Sequence, residues 1–229
     1  MHPNHIRLIA STIFFSSWII FFKPNMYVMY SLTIASSFVI LSFNIKNGIN
    51  FSLHKVLFLI FLIFIWFPKN NNINDVSIGL LFSFIFIWLL FTLPYYIKNK
   101  LIYFLKKIFV LIVLAGLVVY LVDLNSLYNF SNFFPNIIEN ERNYTVYPFL
   151  VIEKTNLQDF YRFQSIFDEP GYLATISFFF LLLDNFDFKK YSNIILFIGG
   201  LLSFSVAFYI MSALYILITI SKSKLKNKI

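Results

Sequence analysis

Long apolar runs parted by short polar breaks govern what this chain can fold into. Residues 8–22, 26–43, 51–67, 76–93, 109–122 and 172–186 carry almost no charge, and residues 191–220 form a last apolar stretch of 30. The breaks are Lys23-Pro24-Asn25, Asn44-Ile45-Lys46-Asn47-Gly48, Pro68 with the polar run 69–72, and Pro94. A helix needs roughly 17–25 apolar residues to cross a hydrocarbon layer about 30 Å thick, and these runs approach that length. Helices apolar all round show no one-sided stripe, so breaks and not periodicity delimit them. Hydrophobic residues reach 59% and charged ones only 12%, against about 45–50% and 25% in a soluble domain. That leaves too little polar surface to coat a water-soluble globule, and it excludes a cytosolic enzyme and a disordered tail. Cysteine is absent, so disulfides, thiolate nucleophiles and thiolate-bound metals are excluded as well.

The net charge of +8 suggests nucleic acid at first sight, yet the basic residues lie between apolar runs. They read better as determinants of orientation in a membrane. With the N-terminus inside and the last stretch broken near Ser203-Phe204-Ser205, 13 of the 18 basic residues fall on the cytoplasmic side. Among them are Lys98, Lys100, Lys106 and Lys107, a basic amphipathic lead into the fifth span. An unbroken final helix would put the lysines of the tail outside. The expected fold is therefore all-α, a polytopic bundle of about eight spans with both termini cytoplasmic. Residues 1–122 supply five spans, 123–171 a sizeable external loop, 172–221 the remaining spans with the broken pair, and 222–229 a basic tail. Arg7 and the run after it imitate a signal peptide, but no A-x-A-like cleavage site follows.

Residues 123–171 hold seven of the ten acidic residues and only three basic ones. A connection that long tends to be functional or disordered, and its aromatic content argues for a folded, partly helical cover. Its end, from Arg162 to Ala174, is the most informative part of the chain. Pro170 fits a first helical turn, where its missing N–H costs little. Asp168 or Glu169 can cap that helix, whose N-terminal end is partly positive. The bland reading is a capping arrangement with an interfacial arginine. In the functional reading a guanidinium beside a helix N-terminus binds a pyrophosphate, and a neighbouring carboxylate serves as general base.

Arg162, Ser165, Phe167, Glu169-Pro170-Gly171-Tyr172 and Leu173-Ala174 together resemble a loop motif of the O-antigen and exopolysaccharide polymerases of bacterial inner membranes. Residues 201–210, centred on Ser205, resemble the helix break of the same family, although Val206 stands where many relatives carry Arg. The resemblance implies a GT-C-type glycosyltransferase that joins undecaprenyl-pyrophosphate-linked oligosaccharide repeat units at the periplasmic face. Arg162 would stabilise the pyrophosphate and Glu169 would act as base, with Asp168 as runner-up. Arg142, Asp168, Tyr172 and Ser205 would contact substrate, and Tyr144, Tyr147 and Tyr161 could stack on sugars, although each tyrosine also reads as an interfacial belt residue. No cofactor is implied. Implied partners are the lipid-linked glycan, membrane lipid, a chain-length regulator and a flippase, without nucleic acid. Family members are usually longer, with a second external loop bearing another Arg, so the resemblance implies that their C-terminal part is lacking here.

Other constellations add little. His2 and His5 have a spacing that allows a metal, but a solvated terminus weighs far more, and no metal site is expected. P-loop, dinucleotide and zinc spacings are absent. Two rival functions remain. One is an O-antigen ligase. The other is a flippase or transport-type protein without chemistry, which the lack of mid-span ionisable residues disfavours.

Overall fold

The computed structural model describes residues 1–16, 26–48, 53–66, 75–126, 136–139, 142–147, 149–154, 162–167 and 169–226. Asp168, Tyr161 and the polar run 69–72 lie outside the described residues. The framework is helical: α1 (Pro3–Ser16), α2 (Met26–Lys46), α3 (Leu53–Trp66), α4 (Asp75–Thr92), α5 (Tyr95–Ser126), α6 (Pro170–Leu183), α7 (Tyr191–Leu202) and α8 (Val206–Lys226). Among the described residues one helix, Tyr95–Val122 within α5, is long and apolar enough to cross a membrane by length and composition. Residues Ser83–Thr92, Pro170–Leu183, Tyr191–Leu202 and Val206–Thr219 make shorter apolar helices. α8 runs through Lys222 and Lys224 to Lys226 and so extends into the basic tail.

The described residues of the connection between α5 and α6 include strands, which the expectation of a partly helical cover did not foresee. β1 (Asn136–Glu139), β2 (Arg142–Tyr147) and β3 (Leu150–Lys154) form one antiparallel sheet of order β1-β2-β3. Glu139 stands opposite Arg142 and Tyr147 opposite Leu150. The physical reason is local. Tyr144, Thr145, Val146 and Tyr147, then Val151 and Ile152, are β-branched or aromatic, which favours the pleated ladder over a helix.

The chain divides into two compact units, one reaching Leu105 and one built essentially from Lys106 onward. In the first, Ile9 and Ala10 of α1, Ile40 of α2, Phe86 and Leu89 of α4, Leu93, and Ile97 and Leu101 of α5 form one buried cluster. Side-chain hydrogen bonds tie its helices together. Thr12 and Ser36 hydroxyls lie 2.6 Å apart, Asn44 Nδ2 donates to Thr92 Oγ1 at 2.5 Å, and Trp88 Nε1 donates to the Lys55 carbonyl at 2.8 Å.

In the second unit α5 buries Phe109, Val113, Gly116, Leu117 and Tyr120. Leu111, Leu114, Val118 and Leu121 of the same helix are exposed. Phe109 meets Phe167 at 5.7 Å and Phe180 at 5.4 Å between ring centroids, and Tyr120 meets Phe163 edge-on at 5.3 Å. Gly116 has a specific task. A Cβ there would sit 2.6 Å from the Phe149 carbonyl oxygen and 2.9 Å from Ser165 Oγ, so only hydrogen lets the α5–α6 connection come this close.

Candidate functional site

Residues 162–167 thread into the second unit, and all but Arg162 are buried. Phe163 is fully covered and its N–H donates to the Leu202 carbonyl at 3.0 Å. Ser165 takes a left-handed φ of 51° and donates from Oγ to the Phe149 carbonyl at 3.2 Å. Such a backbone costs a non-glycine residue about 1–2 kcal/mol and persists because its surroundings fix it. Gln164 is 1% exposed, and its Nε2 has no partner among the described residues.

The break between α7 and α8 lies against this segment. Helix ends leave carbonyls without intrahelical partners, and a cation there is favourable. Arg162 supplies it: Nε donates to the Ser203 carbonyl and Nη2 to the Phe204 carbonyl, each at 3.1 Å. Two of the five guanidinium N–H donors are thereby engaged, while the residue as a whole stays exposed. Phe204 turns the chain with φ 49°. Ser203 Oγ donates to the Gly200 carbonyl at 2.6 Å and accepts from the Ser205 N–H at 3.3 Å. Ser205 is buried at 5% exposure, so its hydroxyl is not presented at the surface.

At the entry of α6, Pro170 occupies the first turn, where its fixed φ suits the helix and no N–H is needed. Glu169 is the N-cap residue in extended conformation, yet its side chain makes no capping bond. Its carbonyl accepts from the Tyr172 N–H at 3.1 Å. Glu169 and Tyr172 are both exposed, and the position of a Cβ on Gly171 is open space.

The structure thus joins Arg162 to the Ser203–Ser205 break and puts an exposed carboxylate at the mouth of α6. An exposed, anchored guanidinium can bind an anion, and an exposed carboxylate can accept a proton. Arg142 opens β2 opposite Glu139, and its side chain lies outside what is described. Asp168 lies outside the described residues. His2 and His5 rings meet edge-on at 6.0 Å, and no group of three metal-ligating side chains occurs among the described residues.

Sequence reasoning missed a polar cluster elsewhere in the second unit. Lys106 is 8% exposed rather than solvated with its basic neighbours. Its ammonium donates to Asp184 Oδ2 at 2.5 Å and to Asn193 Oδ1 at 2.6 Å. Lys190 reaches the other Asp184 oxygen at 3.1 Å, and Asn193 Nδ2 donates to the Asp187 carbonyl at 2.8 Å. Burial pushes the Asp184 carboxyl up, but hydrogen bonds and charge from Lys106 and Lys190 outweigh it and hold the group below its usual range. The available signal was an aspartate closing an otherwise apolar run. Comparisons of the chain with protein-family models, with characterised proteins and with solved structures find no match.

Proposed function

We propose that the chain is a multi-span inner-membrane protein that polymerises surface polysaccharide, transferring a glycan from undecaprenyl pyrophosphate to the next lipid-linked repeat unit on the periplasmic side. One observation carries the reading. The two segments resembling the polymerase family lie about 30 residues apart in sequence, and the Arg162 hydrogen bonds to Ser203 and Phe204 fasten them to each other. The exposed apolar flanks of α5 and α8, among them Leu111, Val118, Leu214 and Leu217, suit a lipid surrounding. At 32 residues α5 is about 48 Å long, more than a hydrocarbon layer of about 30 Å requires.

In this reading the exposed guanidinium of Arg162 binds the pyrophosphate and disperses the charge that develops as the sugar–phosphate bond breaks. Glu169 takes the proton of the attacking sugar hydroxyl. Tyr172, exposed on the first turn of α6, offers its ring to the glycan.

The test is the length distribution of surface glycan in cells that depend on this chain. Arg162→Ala should cut glycans beyond one repeat unit at least about 100-fold, the scale on which lost electrostatic stabilisation is felt. The amount of protein in the membrane fraction should stay unchanged. An unaltered ladder contradicts the assignment, and complete loss of even single units points to a ligase or a flippase instead.

A further inference from the structure

Hydrogen bonds and packing bring five helix ends to one end of the first unit. Asn44 to Thr92 joins the last turn of α2 to that of α4, and Trp88 to the Lys55 carbonyl brings in the first turn of α3. Lys98 Nζ donates to the Phe91 carbonyl at 2.8 Å and lies over the Phe91 ring, which ties down the start of α5. Met1 and Ile6 of the α1 entry pack on the cluster that contains Leu93 and Ile97. Basic residues and interfacial aromatics gather at these ends: Arg7, Lys46, Lys55, Lys98 and Lys100, with Tyr95, Tyr96 and Tyr103 exposed on α5. The one acidic residue before Lys106 is Asp75. It begins α4 and so lies about 26 Å away along that helix.

We infer that this end of the first unit binds anionic phospholipid headgroups. Charge complementarity favours them, since five of the seven basic residues of the unit share one end, and its single acidic residue begins α4 at the other. Tyrosine beside lysine is the side-chain pairing that settles at a headgroup layer, with the ring in the apolar margin and the hydroxyl and ammonium on phosphate. The inference rests on the membrane part of the proposed function and is independent of any polymerase chemistry.

Trp88, one turn inside this end, reports on it. In the full chain carrying Trp18→Phe and Trp66→Phe, brominated phosphatidylglycerol should quench Trp88 with an apparent affinity roughly tenfold above brominated phosphatidylcholine. Lys46→Gln with Lys100→Gln, both at exposed side chains, should bring the ratio to about twofold. Equal quenching by both lipids in the unaltered surface overturns the inference. Tighter binding of a soluble acidic polypeptide than of phosphatidylglycerol overturns it too, in favour of a protein partner. Quenching by neither lipid shows that this end meets no bilayer, which removes the membrane reading itself.

Discussion

Replacing Asp184 by alanine should destabilise the second unit by about 2–3 kcal/mol, less than the about 3–5 kcal/mol of a fully buried ion pair because the Asp184 side chain is 22% exposed. Lys106 is left with the neutral Asn193 amide while its side chain stays about 10% exposed, and a buried charge without its counter-ion is costly. The companion experiment separates charge from packing. Lys106→Leu together with Asp184→Leu removes both charges and should recover most of the loss, because well-packed apolar replacements of an ion pair are often neutral. Reversing the pair, Lys106→Asp with Asp184→Lys, should recover part of it. Melting in detergent by near-ultraviolet dichroism reads all three variants. The acid dependence follows from the sign of the shift. The folded carboxyl lies below its unfolded value, so its contribution is complete above roughly pH 4 and disappears as pH falls through the lower folded value. A single mutant as stable as the parent would show that the pair holds nothing.

Gly116→Val should be the next most damaging change. The new side chain begins 2.6 Å from a backbone oxygen and 2.9 Å from Ser165 Oγ, and neither is the far end of a flexible group. Overpacking of this kind costs up to about 3 kcal/mol. The greater consequence is positional: the carbonyl of Phe149 and the strained Ser165 move off α5, and with them the buried segment that carries Arg162. Gly116→Ala gains about 1 kcal/mol in helix propensity and still meets the same two oxygens, so it too should lower the melting temperature. A neutral or stabilised Gly116→Ala protein would mean that the connection does not press on α5 as described.

These two sites show where the sequence was legible and where it was not. Helix boundaries at Pro94 and Pro170 were legible because proline fixes φ and lacks a donor, which leaves few places for it. The buried stripe of α5 was not. Phe109, Val113 and Tyr120 face the interior while Leu111 and Val118 do not, yet a helix apolar all round gives no period to tell them apart. Gly116 marks that face. Arg142–Tyr147 was legible in principle as a strand, but its loop position drew a helical expectation. Lys106 was hidden for a different reason. Counting charges by side of the membrane treats every lysine as solvated, and its partner Asp184 is 78 residues distant. Within the candidate site, pattern drew the expectation to Arg162 and to Asp168 or Glu169, and the family resemblance singled out Glu169. It could not foretell that Arg162 binds the carbonyls of Ser203 and Phe204, since that depends on tertiary docking.

The proposed function requires that Arg162 and Glu169 face away from the cytoplasm, where a lipid-linked glycan can reach them. The chain has no cysteine, so Glu169→Cys creates a single thiol at the mouth of α6. A membrane-impermeant maleimide added to cells with a permeabilised outer membrane should label it fully, with no further labelling after lysis. Protection until the inner membrane is broken would place the site in the cytoplasm and contradict the account.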